Sequence, residues 1–196
     1  TDESGISIVC YTDDGASLAE SIVREWPEAR VYRWREDFSD TAELFGGIFD
    51  RDRLIVFIGA SGMAVRIIAP HLKSKATDPA VLCVDDVGQF VIPLISGHIG
   101  GANEWARRIA SAIGAIPVIT TATDNHGVFA VDEFAREKGL VIEDTKKIKE
   151  ISSMILKNEP VGYHDSCGIS IARYISDKGY FENECVLYPK NLYVGM

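Results

Sequence analysis

The segment that decides the fold is LIVFIGASGMAVRIIAPHL, which occupies residues 54–72. Leu54 to Ile58 form a continuous apolar run, as expected of a parallel strand that is buried on both faces. The glycine-rich turn Gly59-Ala60-Ser61-Gly62 follows, and helical spacing predicts a helix from Gly62 to Leu72. A buried strand, a tight turn and a helix in this order form the first part of a βαβ unit.

The same alternation of short β-branched runs with segments of helical period extends in both directions along the chain. It predicts an α/β fold with an open, mostly parallel, Rossmann-like sheet flanked by helices. The turn Asp85-Asp86-Val87-Gly88, between two of the strands, has hairpin chemistry at its glycine. Strands are predicted at 6–12, 31–34, 80–84, 90–94 and 116–120, and helices at 16–26, 41–49 and 101–113.

The sequence pattern changes after Asp124, and this change predicts a second, smaller α/β unit. The predicted domains are residues 1–124 and 125–196. Within the second domain, Asp144 or Thr145 is expected to cap a lysine-rich helix that ends near Leu156. Further elements are predicted as a helix at 131–138 and short strands at 140–142, 160–163 and 185–188.

Composition excludes several classes of protein. The 196-residue chain has 20 Lys and Arg against 29 Asp and Glu residues, a formal net charge of -9, so no nucleic-acid partner is expected. Its apolar runs are far shorter than the roughly 18 residues of a membrane helix, and its acidic N-terminus does not resemble a signal peptide. Four scattered cysteines without a CxxC pair predict reduced thiols in a cytoplasmic protein, with Cys10 and Cys83 buried.

Polar or glycine-rich segments follow four of the predicted strands, at residues 12–15, 59–62, 96–103 and 120–124. In a parallel sheet all four lie at the carboxyl edge, where open α/β folds bind their ligands. Glycines in such turns allow the backbone to approach a ligand, and the N–H groups of the following helix attract anions. Neither a GxGxxG fingerprint nor a Walker loop is present, and glycines that only make tight turns are the alternative.

Several side chains in these segments have the chemistry of a site. His98 can act as an acid, a base or a donor, or it can hydrogen-bond only its own loop. Glu104 is a second candidate base, although an acidic residue in a first helical turn also complements the helix dipole. Ser61 and Ser96 are expected to cap or hydrogen-bond, because the nucleophile pattern GxSxG is absent. Arg66 is expected in the first turn of its helix, where it can meet a carboxylate or remain solvated.

The remaining candidates are more ambiguous. Asn103 occupies the first helical turn after the loop at 96–101. Thr121, Thr123 and Asp124 are either ligand contacts or a capped turn. No HxxxH spacing and no Cys/His set match a zinc pattern, so no protein-bound metal is expected.

Five motifs occur in order along the chain: Gly59-Ala60-Ser61-Gly62 with Val65-Arg66, Thr77-Asp78-Pro79-Ala80, Phe90-Val91-Ile92-Pro93-Leu94, Ser96 to Asn103, and Thr120 to Asp124. Together they closely resemble the cobalamin biosynthesis protein G family, the cobalt-precorrin-5A hydrolases of the anaerobic cobalamin pathway. The resemblance spans about Leu54 to Asp132 and is more specific than any one glycine motif. From Asn125 onward the chain resembles the middle region of the family, with weaker motifs.

The resemblance implies hydrolysis of the ring-A δ-lactone of cobalt-precorrin-5A and loss of acetaldehyde, which gives cobalt-precorrin-5B. Such a reaction needs a base for water, donors for an oxyanion and contacts for peripheral carboxylates. We hypothesise that His98 supplies the base, with Glu104 as the second candidate. Cobalt arrives in the corrinoid precursor, so no cofactor is implied. The predicted substrate-binding residues are Gly59, Ser61, Gly62, Arg66, Ser96, Gly97, Gly100, Gly101, Asn103, Thr121, Thr123 and Asp124.

The resembled family carries a further C-terminal domain, expected to begin with a VGxGC-like segment where this sequence has Val194-Gly195-Met196. We therefore expect the chain to be one part of a longer protein or a separately encoded subunit. The alternative function is a non-catalytic tetrapyrrole-binding module that needs the C-terminal domain for chemistry. A third is an unrelated enzyme that binds a phosphorylated or carboxylated metabolite at the same loops. The sequence leaves the oligomeric state open, a homo-oligomer included.

Overall fold

The computed structural model describes residues 5–75, 77–142, 146–157, 159, 161 and 194–195. The chain divides into two compact units, Thr1–Ile119 and Thr120–Met196. The division falls slightly before the domain boundary predicted near Asn125.

The first unit contains a six-stranded sheet in the order β2-β1-β3-β4-β5-β6, with helices between the strands. Its order confirms the predicted open α/β fold, since β1 lies between β2 and β3 and each crossover carries a helix. The elements are β1 Ile6–Cys10, α1 Asp13–Val23, β2 Arg30–Arg33, α2 Thr41–Ile48, β3 Leu54–Ile58, α3 Ser61–Ile68 with a 3-10 turn Ala69–His71, β4 Ala80–Val84, β5 Phe90–Ile95, α4 Ala102–Ile113 and β6 Ile116–Pro117.

The sheet changes direction at the β4–β5 hairpin. Strands β1 to β4 are mutually parallel, whereas β5 is antiparallel to β4, with Val84 opposite Val91 and Val81 opposite Ile95. The predicted turn at Gly88 is confirmed, because this glycine has φ +71° and its N–H donates to the carbonyl of Asp85 at 2.9 Å. We call the end of the sheet where β1 to β4 finish the carboxyl edge and the opposite end, where β5 finishes, the amino edge.

Two layers of side chains bury the sheet. The faces of β1, β3 and β4 are fully covered, as the continuous apolar run at Leu54–Ile58 predicts. One face packs against α1, the following Trp26, and α4 with its Trp105. The other packs against α2 and α3, including Phe45. The helix predicted at 101–113 is confirmed as α4, which buries one apolar stripe of residues at i, i+3 and i+4 spacing.

Local capping shifts several predicted boundaries. Helix α1 begins at Asp13, earlier than predicted, because the Thr12 hydroxyl accepts a hydrogen bond from the N–H of Gly15 at 3.0 Å. Asp40 caps α2, because its carboxylate accepts hydrogen bonds from the N–H groups of Ala42 and Glu43. The strand predicted at 116–120 ends at Pro117, where the sheet ladder also ends.

The second unit consists of short elements. It contains α5 Ala122–His126, α6 Val131–Glu137, β7 Val141–Ile142, α7 Lys146–Leu156 and β8 Val194–Gly195, with β7 antiparallel to β8. Helix α5 was not predicted, because five residues are too few to show a helical period. The predicted caps Asp144 and Thr145, and the predicted strands at 160–163 and 185–188 apart from Val161, lie outside the described residues.

Among the residues that the structure describes, no helix combines the length and the apolar character that crossing a membrane requires. The thiols of Cys10 and Cys83 are free and buried, as predicted, while Cys167 and Cys185 lie outside the described residues. The Cys83 thiol donates a hydrogen bond to the carbonyl oxygen of Gly59 at 3.1 Å. Burial, reinforced by the nearby charge of Asp85, raises the pKa of the Cys83 thiol to about 11.

We expect Cys83 to resist alkylation at pH 8 in the folded chain. Only the thiolate reacts, and a pKa near 11 reduces the thiolate fraction by about 100-fold relative to an ordinary thiol with a pKa near 9. Iodoacetamide labelling of the Cys167→Ser/Cys185→Ser variant, followed by peptide mass spectrometry, measures this protection. Labelling in urea is the control, since unfolding should restore the ordinary rate. Rapid labelling of Cys83 without urea would contradict the assignment.

Candidate functional site

The structure divides the predicted site between the two edges of the sheet. The segments at 12–15 and 59–62 follow β1 and β3 at the carboxyl edge, whereas the segment at 96–103 follows β5 at the amino edge. The prediction that these loops converge at one edge is therefore wrong. Five residues of strand separate the two edges by about 16 Å. Residues 120–124 belong to the second unit.

At the carboxyl edge, the Gly59 turn leads into a helix whose first turn has no side-chain cap. Gly59 has φ +149°, and a Cβ there would lie 3.1 Å from the ring of Phe57, so both the backbone angle and the space favour glycine. The N-cap of α3 is Ala60, so of the two roles expected for Ser61, capping is excluded. Because no side chain caps α3, its first N–H groups remain suited to an anion.

Arg66 lies in the last turn of α3 and is exposed. The expectation that it sits in the first turn, beside the Gly59 loop, is wrong, because α3 begins at Ser61 and spans only eight residues. A cation near the C-terminus of a helix is well placed to interact with the helix dipole. The position of Arg66 therefore does not support a contact to a ligand held by the Gly59 turn.

Sequence reasoning missed a cluster of aromatic side chains at the carboxyl edge. The Tyr11 ring lies 5.7 Å from Trp34, 5.7 Å from Phe38 and 5.4 Å from Phe57 between ring centroids. Burial is the main cause that raises the pKa of Tyr11, whose hydroxyl pairs with that of Thr41 at 3.2 Å. The position of two of these rings in the sequence could have indicated the cluster, because Tyr11 and Trp34 directly follow two neighbouring parallel strands. Phe57 is fully buried, whereas the half-buried rings of Tyr11, Trp34 and Phe38 offer apolar surface near the uncapped start of α3.

Gly62 has no structural need for glycine, since a Cβ there would meet nothing within 4 Å. We expect Gly62→Ala to raise the free energy of unfolding by about 0.5 kcal/mol, because alanine reduces the entropy of the unfolded chain and favours helix. If the backbone at Gly62 contacts substrate, as predicted, the same variant should weaken substrate binding. Gly46→Ala is the matched control, because Gly46 is also helical and open. Urea denaturation and a binding titration of both variants test this, and equal binding by the two would contradict the predicted contact.

At the amino edge, the loop from Ser96 to Gly101 is held by its own backbone. Ser96 adopts φ +56°, an uncommon angle for a residue other than glycine, and its hydroxyl donates to the carbonyl of Asp78 at 3.0 Å. Gly100 lies so close that a Cβ would come within 2.5 Å of the Ser96 Cβ. Gly101 is the N-cap of α4 with φ +77°. These contacts give Gly100 and Gly101 structural reasons to be glycine and confirm that Ser96 is a hydrogen-bonding serine.

Three N–H groups at the end of this loop and the start of α4 are already used. Those of Gly101, Ala102 and Asn103 donate to the carbonyls of His98, Ser96 and Gly97 at 3.0, 3.1 and 3.0 Å. These three groups are therefore not free to attract an anion, as was expected of the N–H groups that follow a glycine-rich turn. Side chains are a further source of polar contacts at the amino edge.

Three such side chains lie in or next to the loop. His98 is half-buried, Asn103 is buried and Glu104 is half-buried in the first turn of the 12-residue helix α4. The positive end of the α4 dipole favours negative charge at this place, which accounts for Glu104 in structural terms. An imidazole and a carboxylate on one rigid loop and helix start can nevertheless serve acid–base chemistry.

In the second unit, Thr121, Thr123 and Asp124 form the start of α5. Thr121 is its N-cap residue and its hydroxyl donates to the Asp124 carboxylate, while Thr123 is buried. The carbonyl of Thr123 accepts the N–H of Val128 at 3.0 Å. This arrangement fits the capped-turn alternative.

The fold and its loops define a two-unit α/β protein with glycine-rich segments after the strands of an open sheet. Comparison with known families gives two matches: residues 43–124 match the model described as "Cobalamin synthesis G N-terminal", and residues 129–179 match "Cobalamin biosynthesis central region". The chain belongs to the cobalamin biosynthesis protein G family, of which it carries the N-terminal and central regions. The predicted family is thereby confirmed.

Two curated relatives of this chain are named cobalt-precorrin-5A hydrolase. The chain is 33% identical over 181 residues to the cobalt-precorrin-5A hydrolase of Priestia megaterium, covering 86% of this chain and 48% of that protein. It is 36% identical over 168 residues to the cobalt-precorrin-5A hydrolase of Salmonella typhimurium, covering 80% and 47%. The chain thus spans about half the length of the curated relatives it matches.

A solved structure shares the fold. A crystal structure described as that of a cobalamin biosynthesis protein G homolog from Sulfolobus solfataricus aligns with a TM-score of 0.53 over 97% of this chain and 60% of that chain. The two sequences are 23% identical. This likeness supports the α/β architecture.

Proposed function

We propose that this chain supplies the N-terminal and central parts of a cobalt-precorrin-5A hydrolase. The observation that carries the proposal is the match to two curated hydrolases of that name across four fifths or more of the chain. The reaction is opening of the ring-A δ-lactone by water, with release of acetaldehyde. The corrinoid precursor brings its own cobalt, and the chain works in the cytoplasm without a cofactor of its own.

The amino edge is the proposed place for the chemistry. His98 is the candidate base, because it is half-buried in a loop that backbone hydrogen bonds hold rigid. A base that removes a proton from water lets the hydroxide attack the lactone carbonyl, and the same group can return the proton to the leaving alkoxide. Glu104, in the adjoining first turn of α4, is the alternative base.

The carboxyl edge then has a separate role. Its uncapped α3 and the aromatic cluster around Tyr11 suit the binding of an anionic, partly apolar surface. Because about 16 Å of strand separates the two edges, the Gly59 turn is not proposed to contact the lactone that His98 attacks.

Incubation of the 196-residue chain with cobalt-precorrin-5A tests the proposal. Both the ring-opened product and acetaldehyde are assayed, and binding is followed from the absorption spectrum of the corrinoid. Formation of both products would support catalysis within this chain. Tight binding without turnover would favour the tetrapyrrole-binding module as the function of this part. Absence of both binding and turnover would contradict the proposal.

A further inference from the structure

Two arginine side chains lie against one tryptophan in the first unit. The guanidinium carbon of Arg108 is 4.2 Å from the centroid of the Trp105 ring, and that of Arg53 is 5.7 Å from it. Trp105 in turn packs edge-on against Trp26, with ring centroids 5.8 Å apart. Cation–π attraction explains part of this arrangement, but it weakens toward the limit of about 6 Å.

Arg53 is unusual in its hydrogen bonding. Its Nε and Nη2 atoms are buried and have no hydrogen-bond partner, and no ion pair to its side chain occurs among the described residues. Charged donors without an acceptor are strongly unfavourable once water is removed from them. The residue as a whole is only half-buried, so part of its side chain is still reached by solvent.

Arg53 also lies at the amino edge, next to the loop that contains His98. It directly precedes β3, and its carbonyl accepts the N–H of Ala80 at 2.9 Å. The backbone nitrogen of Ala80 lies 3.4 Å from the position that a Cβ on Gly100 would occupy, so Ala80 is next to both Arg53 and the loop. Trp105, the ring that Arg53 approaches, is in the first turns of α4, and its N–H donates to the carbonyl of Gly101. Arg53 is therefore a neighbour of the loop at 96–101 within one compact unit.

We infer that Arg53 binds a carboxylate group of a small-molecule ligand at the amino edge. A carboxylate accepts hydrogen bonds from a guanidinium in a bidentate geometry and neutralises it. The attraction has to come from a local cation, because the chain as a whole carries a formal charge of -9. The inference rests on the proposed function only for the identity of the ligand, a polycarboxylate corrinoid precursor whose lactone lies near His98. The inference assigns to Arg53 the carboxylate contact that the sequence suggested for Arg66.

Thermal unfolding with tricarballylate, a small tricarboxylate, tests the inference on the 196-residue chain. Unfolding of the first unit is followed by tryptophan fluorescence, since Trp26, Trp34 and Trp105 all lie in it. Tricarballylate is expected to raise the Tm more than sodium chloride of equal ionic strength, because a ligand that binds only the folded state stabilises it. Arg53→Met should reduce the affinity by about tenfold or more, the loss expected for a charge-assisted contact.

Arg53→Met should have an equal or higher Tm than the native chain when no anion is added, because it removes a charge that is buried without an acceptor. Arg53→Gln is the second variant, with its fold checked by circular dichroism, and it should also lose the tricarballylate response. The matched control is Arg30→Met, since Arg30 is exposed on β2, and this variant should keep the full response.

An equal response of Arg53→Met and the native chain would overturn the inference, as would an absent response in the native chain or an equal response to sulfate. The outcome is separable from that of the proposed function. Binding of tricarballylate that depends on Arg53 would support the carboxylate site even if cobalt-precorrin-5A were not hydrolysed. Binding that does not depend on Arg53 would contradict the site even if hydrolysis were observed.

Discussion

Replacing His98 with alanine is expected to lower kcat for cobalt-precorrin-5A hydrolysis by about 10²- to 10⁴-fold, the contribution usual for general acid–base catalysis. The proposed base acts on water in the transition state, so KM should change much less than kcat. The structure favours this residue because the backbone of its loop is fixed by hydrogen bonds from Gly101, Ala102 and Asn103. Steady-state kinetics with acetaldehyde release as the signal measures the effect.

His126→Ala is the matched control for this experiment. His126 is exposed near the end of α5 and has no proposed part in the reaction, so the variant should turn over at the native rate. Circular dichroism of the two variants checks that the fold is retained. Native turnover by His98→Ala would exclude His98 as the base, and a loss confined to Glu104→Gln would move that role to the first turn of α4.

Replacing Arg51 with methionine is expected to lower the free energy of unfolding of the first unit by about 2 kcal/mol, less than for a fully buried ion pair, because the Arg51 side chain is 43% exposed whereas Asp52 is buried. The Asp52 side chain is 2% exposed and accepts two hydrogen bonds from Arg51, at 2.7 and 2.8 Å, and one from the buried Ser7 hydroxyl. Without Arg51 the carboxylate stays buried with a single donor. The hydrogen bond to Asp52, followed by that to Tyr32, raises the pKa of Arg51, so this donor is always charged.

The loss should come from the buried charge and not from the missing arginine. Adding Asp52→Asn to Arg51→Met should therefore recover most of the stability, because the amide keeps an acceptor for Ser7 and removes the charge. Lys73→Met is the control, since Lys73 pairs with Asp50 at 2.6 Å but both side chains are about two-thirds exposed. It should change stability by less than about 0.5 kcal/mol. Urea denaturation followed by tryptophan fluorescence measures all three, and equal losses for Arg51→Met and Lys73→Met would refute the account.

Much of the fold could be predicted because its dominant signals are local. The run Leu54–Ile58 and the stripe on α4 set the strand and helix types, and the structure confirms them. The direction of β5 was also encoded in the sequence, at the hairpin glycine Gly88. Taking that hairpin as two antiparallel strands would have moved the loop at 96–103 to the amino edge, because a hairpin reverses the chain.

The site was harder to predict because its decisive contacts join distant parts of the sequence. Arg51-Asp52-Arg53 looks like a solvated turn before a strand, yet Asp52 is buried beneath Ser7 and two Arg53 nitrogens are covered near Trp105. No spacing rule relates these residues, since the sheet brings them together. The glycines mislead for a similar reason, because close packing against Ser96 and a positive φ account for Gly100 and Gly101.

The two outer strands of the sheet bear on how copies of this chain can associate. An exposed strand edge invites pairing with another molecule, and proline, charge and short length are the usual means of preventing it. Strand β6 has only two residues, one of them Pro117, and β2 begins and ends with Arg30 and Arg33. Proline removes a ladder donor, and the exposed Arg30 side chains of two copies would repel each other, whereas Arg33 is paired with Glu20. Self-association of this chain is therefore expected to use a helical or loop surface, and the open sheet itself resists edge-to-edge aggregation.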